Sequence, residues 1–422
     1  MRVNPLNVFT PAQEIQDIDR FAGRQEELQG LANALQSQGT QIVLYGQRGV
    51  GKSSLARQLL KLSTHEEEIV SRLDPEPYET LDFLPVYVSC DDSVEKVEDV
   101  LLRLLSDEEA LASWVPFKVV EKSGSQSVSG RLNIKVVQLG GDQKDTMTER
   151  AQHFEDDVVT VFSNACKDIT RTGVAKDGLL IVVDEFDRVG DRAGLASLLK
   201  TLGPEGVTFA LVGVATTVQE LITEHESVAR QLTGGTIQVE PMNAAELDEI
   251  FDRAESIMEK EYTFLKEARE WIIEIARGHP FYVHLVGKHA LLEAIRKDNK
   301  EIDLQTAQDA LSEIALKGSA PIQEHTYKKA IGHSYTRESI LKSFAERRED
   351  EIHTTELYAS LSKTLGIEPS AVSVYVGQLA SETYGNVLQK TRDRYYRFAD
   401  SLFKAYAAAR PFERTPSDQE NA

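Results

Sequence analysis

Cysteine is almost missing from this chain. Cys90 and Cys166 are the only two in 422 residues. That is too few for a disulfide framework, and neither stands in a metal-ligand spacing. Both are expected to pack as small hydrophobes, and a cytoplasmic location is the default that follows. Long apolar runs are missing too. Nothing approaches the ~20 residues that a membrane-spanning helix needs, and Met1-Arg2-Val3-Asn4-Pro5 offers no apolar signal core. No membrane partner is expected. Positive charge is scarce: 47 Lys and Arg face 68 Asp and Glu, a formal net charge of -21. This excludes a surface built throughout for nucleic acid, though not a local contact. No internal repeat is visible. The remaining balance, 41% hydrophobic and 27% charged, is that of an ordinary globular chain, and its length calls for two or three domains.

What is present starts with Gly46-Gln47-Arg48-Gly49-Val50-Gly51-Lys52-Ser53, which fits G-x-x-x-x-G-K-[ST]. Residues 41–46 read as a buried strand, and Ser53-Ser54 through Leu60 as a helix. Glycines in such a loop let backbone N–H groups converge on phosphate oxygens, and the helix N-terminus adds positive potential. Lys52 is expected to reach the β- and γ-phosphates, and the Ser53 hydroxyl to hold Mg²⁺. Gly46 to Ser54 is thus the expected phosphate cradle.

A second stretch, Leu179-Leu180-Ile181-Val182-Val183-Asp184-Glu185, is an apolar run ending in two acids. The run suits a parallel strand covered on both faces, with its acids at the end where α/β sheets place ligands. Asp184 is the expected magnesium-side carboxylate, and Glu185 is placed to orient or deprotonate an attacking water.

Around these motifs, strands alternate with helical stretches: 84–90, then an acidic helix over 92–113, a helix over 149–171, and strands 207–214 and 236–239. That alternation predicts an α/β domain with a mainly parallel sheet. Thr216, just past strand 207–214, is the candidate polar group near the γ-phosphate. Residues 115–145 break the rhythm and read as a hairpin insertion around a Ser/Gly turn, either passive or a partner site. From 243 to 335 the reading is helical, opening at Asn243 with Glu246 completing a capping box.

Residues 337–410 carry 11 Lys and Arg against 10 Asp and Glu, which leaves -22 on the rest of the chain. Helices are expected at 337–347, 354–364 and 370–381, with Thr354 and Ser370 as N-caps. Strands 386–390 and 395–398 and a last helix at 400–409 follow. Three helices and a hairpin describe a winged helix-turn-helix. If it binds DNA, helix 370–381 is the reader, offering Ser370, Ser373, Tyr375 and Gln378, none of them basic. The hairpin offers Lys390, Arg392, Arg394 and Arg397 to phosphates. A protein-docking surface is the alternative. The tail from Pro411 is polar and expected to be disordered. The expected division is 1–242 (α/β, with the insertion at about 115–145), 243–335 (helical lid), 336–410 (winged helix) and 411–422 (tail).

The chain resembles the AAA+ and STAND-type P-loop ATPases, particularly the prokaryotic ATPases similar to the origin-recognition/Cdc6 initiators. The resemblance rests on Asn4-Pro5, the box Phe21-Ala22-Gly23-Arg24-Gln25-Glu26-Glu27-Leu28, the two motifs above (the Walker A and Walker B elements), and the ending Tyr396-Arg397-Phe398-Ala399-Asp400-Ser401-Leu402-Phe403. It implies that Arg24 sits close to the adenine and that Thr216 is sensor 1. It implies that Arg230 matches an arginine finger acting on a neighbouring subunit; a plain surface charge is the other reading. It likens Gly278-His279-Pro280 to the GxP element whose proline approaches the nucleotide. The sensor-2 arginine has no counterpart, because Arg277 is offset. His279 and His284 read as lid-core histidines.

The expected function is an Mg²⁺-dependent ATPase switch, with ATP and Mg²⁺ as cofactors. ATP is expected over GTP by the resemblance, and no N-K-x-D motif follows the Walker B strand. Expected partners are a homo-oligomer in the ATP state and duplex DNA or an effector protein. The alternative is a signalling or defence ATPase that regulates a partner protein without binding DNA.

Overall fold

The structure, a computed structural model, describes residues 4–114, 117–122, 134–138, 151–154, 158–222, 225–317, 321–347, 349 and 351–415. Its centre is a five-stranded parallel sheet in the spatial order Phe83–Ser89, Gly178–Asp184, Val207–Val214, Ile42–Gly46, Thr236–Val239. Because successive side chains on a strand point to opposite faces, a sheet covered on both sides needs apolar residues at every position. Leu179 to Val183 meet that need, each at most 1% exposed. Leu179, Ile181 and Val183 face one helical layer with Val43 and Leu211. Leu180 and Val182 face the other with Ile42, Leu44 and Val212. All five strand C-termini therefore point to one edge, which carries the loop after Ile42–Gly46 and the acids after Gly178–Asp184.

Close packing fixes Gly46. A Cβ there would lie 2.2 Å from the Val239 carbonyl oxygen, so only glycine lets the first strand end beside the fifth. Gly51 has φ +99° and begins the helix Lys52–Ser63. Glycine adopts that left-handed conformation without steric cost.

A further hydrophobic core runs through the lid helices and the C-terminal unit without a break. Val8 and Phe9, from the N-terminal segment, belong to it. Phe9 fits because residue 287 is glycine: a Cβ there would come within 2.8 Å of the ring. The first lid helix, Ala244–Ile257, starts on the capping box of Asn243 and Glu246, as the sequence predicts. Arg277, offset from any nucleotide-facing position, donates instead to the Glu346 carbonyl.

Several local expectations change. The acidic helix is shorter, Val97–Ser106, because Asp91 closes a turn on Ser93 and Asp99 accepts from the Glu95 and Lys96 N–H groups. The helix expected from 149 begins at Val158. Ala151–Phe154 is instead a third strand, beside Phe117–Lys122 and Ile134–Gln138 in an antiparallel sheet. The Ser/Gly turn of that insertion lies outside the described residues.

In the C-terminal unit the helices are Tyr335–Ala345, Thr354–Leu365, Pro369–Leu379 and Ser401–Ala409. Strands Leu388–Arg392 and Tyr395–Phe398 form a hairpin that Ile352–His353 joins at the edge. Neither Thr354 nor Ser370 is an N-cap. Thr354 turns its hydroxyl to the Arg394 carbonyl, and Pro369 takes the first helical position after Glu368. Nor does order end at Pro411. The carboxylate of Glu338, fully buried, accepts from the Glu413 and Arg414 backbone N–H groups and from the Tyr327 hydroxyl. Residues 411–415 therefore lie against the unit.

Candidate nucleotide site

At the C-terminal edge of the sheet lies a cavity of about 570 Å³. The P-loop contributes Arg48, Gly49, Gly51, Lys52, Ser53 and Ser54. The Walker B strand and the turn after it contribute Asp184, Glu185, Asp187 and Arg188. The lid helix Pro280–Arg296 contributes Pro280, Phe281 and His284 from its first turns, and residues 10–15 complete the lining.

Lys52 is 8% exposed, and its ammonium donates to the carbonyls of Gly46 (3.1 Å) and Gln47 (2.6 Å). Burial pulls its pKa down to about 8, with Asp187 and Asp184 pulling the other way. Asp184 is 3% exposed. One of its oxygens accepts from the Glu185 N–H at 2.7 Å and the other from the Tyr87 hydroxyl at 2.8 Å. Glu185 adopts φ 53°, unusual outside glycine, and its carboxylate meets Arg188 Nε at 2.7 Å. Arg188 also reaches Asp92 at 2.6 Å.

The cavity gathers most of the residues named from sequence, but not all. Gly46, Gln47 and Val50 support the loop from outside the lining. Gly46 and Gln47 hold Lys52 through their carbonyls, and Val50 is fully buried. Pro280 faces the loop, its Cγ 3.8 Å from where a Gly51 Cβ would stand.

Arg24 does not line the cavity. Its buried guanidinium donates to the Val50 carbonyl at 2.6 Å and pairs with Glu27 at 2.6 Å. Its backbone N–H is held by Glu246 at the start of the lid. It braces the back of the P-loop rather than standing in the pocket. Thr216 is exposed and outside the lining, because the chain turns away after Val214 and the Thr216 N–H goes to Glu220. The polar group at that strand end is Asp187, which accepts from the Val214 N–H at 2.8 Å and fills the space beside Gly213. Arg230 is exposed on the short helix Ala229–Leu232, outside the cavity.

Residues 20–212 match a family model described as the AAA ATPase domain. Over that stretch the chain is similar to an AAA ATPase domain. No curated protein matches the sequence. Among solved structures the chain is similar to the Aeropyrum pernix ORC2 protein in ADPNP–ADP complexes, at 15% identity over 95% of this chain and 96% of that one, with a TM-score of 0.48. It is similar to the Aeropyrum pernix ORC1 protein in complex with DNA (17%, 96% and 96%, 0.45) and to the Thermotoga maritima RuvB Holliday junction branch migration motor (17%, 93% and 97%, 0.42). At these TM-scores the likenesses decide no role for this chain.

The residues lining the cavity fit a magnesium nucleotide. Mg²⁺ in such sites takes one or two protein oxygens and completes its shell with phosphates and water. The Ser53 hydroxyl and the Asp184 carboxylate line one cavity with Lys52, which is that donor set. Among the described residues no group of three metal-ligating side chains could hold an ion alone.

Sequence reasoning missed Asp187, Tyr87 and the segment 10–15. Asp187 follows Asp184 at a spacing of three and could have been weighed. Tyr87 and the segment reach the site through tertiary packing that no local pattern announces. The sequence places His284 in the lid core. It is buried, yet it also lines the cavity and accepts from the Thr10 N–H at 3.4 Å. Burial, assisted by Arg20, pushes its pKa down to about 4.

Proposed function

We propose that the chain is a nucleotide-dependent switch that binds MgATP between its α/β domain and its helical lid. The observation that carries this reading is the convergence of Lys52, Ser53, Asp184 and Glu185 with Pro280 of the lid on one cavity. Lys52 and the P-loop N–H groups stabilise charge on the phosphates as it redistributes in the transition state. Ser53 and Asp184 would hold the Mg²⁺, which would supply neutralisation of phosphate charge. Glu185 orients and deprotonates the water once it leaves Arg188. Pro280, His284 and residues 10–15 sense the nucleotide on the lid side. In the same reading Arg230 is donated to a neighbouring subunit, so that hydrolysis depends on assembly.

The output is a C-terminal winged helix whose hairpin contacts duplex DNA through Lys390, Arg392 and Arg394. All three side chains are more than half exposed, which supports a phosphate contact. One observation favours the second reading, a signalling or defence ATPase whose winged unit docks a protein. Val374 is 60% exposed on the helix Pro369–Leu379, beside Ser373 and the half-buried Tyr375, while Gln378 is taken by Arg337 at 2.6 Å.

The test is Glu185→Gln, which keeps ATP binding and abolishes phosphate release. Unchanged phosphate release would refute the assignment. Sizing the protein with ATP, ADP and no nucleotide, with and without duplex, separates the two outputs. DNA-stimulated turnover favours the first, and ATP-dependent assembly without DNA binding the second.

A further inference from the structure

Asp184 is not held by the strand alone. Its two oxygens have different donors: the Glu185 backbone N–H and the Tyr87 hydroxyl. Tyr87 stands on the neighbouring strand, where the parallel register places it opposite Val182, two residues before Asp184. The tyrosine is itself oriented. The Arg57 guanidinium lies over its ring, 3.6 Å from the centroid. Arg57 donates to Glu14 through Nε (3.2 Å) and a terminal nitrogen (3.0 Å).

Glu14 belongs to the segment 10–15 that lines the cavity. Helical spacing explains how that segment is fastened: Ser54, Arg57 and Gln58 fall at i, i+3 and i+4, on one face of the P-loop helix. Ser54 Oγ accepts from the Ile15 N–H at 2.9 Å, and Gln58 donates to the carbonyls of Ile15 and Gln16. A continuous path thus runs from the covering segment through Glu14, Arg57 and Tyr87 to the carboxylate beside the metal position.

We propose that Tyr87 is a positioning residue for Asp184, and that Arg57 and Glu14 hold Tyr87 so that seating of segment 10–16 over the nucleotide favours the metal-binding orientation of that carboxylate. The proposal rests on the MgATP reading above. With one oxygen accepting from the hydroxyl and the other from the Glu185 N–H, Asp184 keeps further lone pairs that can accept a metal in the cavity it lines with Ser53. Partners of this kind around a metal ligand change metal affinity by about 10–100-fold.

The experiment measures ADP and ATP affinity of the full chain by calorimetry, across a Mg²⁺ titration and in EDTA. For Tyr87→Phe the Mg²⁺ midpoint is expected to rise about tenfold, with affinity in EDTA unchanged. Arg57→Ala and Glu14→Gln should move the midpoint in the same direction by smaller factors. Glu14→Gln keeps the test open if Tyr87→Phe does not fold, because Glu14 is partly exposed at the surface. A midpoint within twofold of the parent in the folded variants overturns the proposal. Asp184→Asn in parallel separates the two levels. If it leaves the midpoint unmoved, the metal reading itself fails. If it moves the midpoint and Tyr87→Phe does not, only the positioning role fails.

Discussion

At the P-loop, Lys52 and Asp184 are buried beside a cavity, and their partners are backbone groups and one tyrosine hydroxyl. Away from it, Glu338 and Glu324 are buried just as deeply, and neither lines that cavity. Glu338 is closed off by Tyr327 and two tail N–H groups, and Glu324 by Arg410 and Tyr406. Both regions obey the rule that a buried charge must be compensated. They differ in where spare hydrogen-bonding capacity points. In the first region it points at space a polyphosphate can fill; in the second it is used up within the protein. Burial of charge therefore marks a site only when the compensation is incomplete on the protein side.

That contrast breaks most readily by exchanging the fates of the two lysine and glutamate positions. Lys52→Ala should weaken ATP and ADP binding by at least about 100-fold, because several charge-assisted hydrogen bonds are lost together. It should leave thermal unfolding unchanged or slightly raised, since the ammonium is held against a desolvation penalty. Calorimetry and a melting curve read both. A Lys52→Ala protein with parental nucleotide affinity would end the nucleotide assignment.

Glu338→Ala should do the reverse. Removing the acceptor strands a buried hydroxyl and two part-buried N–H groups, so about 2 kcal/mol of stability should go. Nucleotide affinity should stay within about twofold. Denaturant unfolding monitored in the C-terminal unit measures it. A related acid-side effect comes from Glu324. Burial opposes its charge, but hydrogen bonds from Arg410 and Tyr406 prevail and hold its pKa at about 2. With the folded pKa below the unfolded value, its stabilising contribution is complete above pH ~4.5 and lost as pH falls toward ~2.

The lysine sharpens the comparison through pH. Its pKa of about 8 must rise when phosphates surround it, so binding takes up a proton above that pH. Affinity should be flat below pH ~8 and fall by up to about tenfold per unit above it. Calorimetry in buffers of different ionisation enthalpy detects the proton directly. Lys52→Arg should flatten the slope, because a guanidinium stays charged.

Legibility in the sequence follows the same division. The sheet, the P-loop and the Walker B acids were readable because each is a contiguous pattern whose chemistry depends on local spacing. Asn243 and Glu246 were readable for the same reason. What escaped depends on partners far apart in the chain. Thr216 looked right by position after its strand, but the turn at Phe186–Arg188 brings Asp187 to that place. Arg24 was tied to the base by resemblance, while Val50 and Glu27 capture it. The polar composition of the tail predicts a free segment, because it cannot reveal that Glu338, some 75 residues earlier, takes its backbone N–H groups. The strand Ala151–Phe154 was hidden in a helical reading because its partner, Ile134–Gln138, supplies the preference.

The smallest expected effect lies at the hairpin, where the comparison is weakest. Arg392 pairs with Glu351 at 3.0 Å and covers the Tyr395 ring, Lys390 lies 3.9 Å from Asp393, and Arg394 lies 3.8 Å from the same carboxylate. All are exposed pairs of the kind worth little in water. Replacing Arg392 and Arg394 by alanine should therefore change stability by under about 0.5 kcal/mol. If the hairpin meets phosphate, the same pair should lower the salt dependence of duplex binding by about two charges, uniformly across sequences. The exposed cations would then resemble Lys52, with capacity turned outward to an anion. If duplex binding is absent at low salt, they belong with Glu324 and Glu338, satisfied within the protein. Exposed Val374 then becomes a feature of the C-terminal unit that can meet a partner.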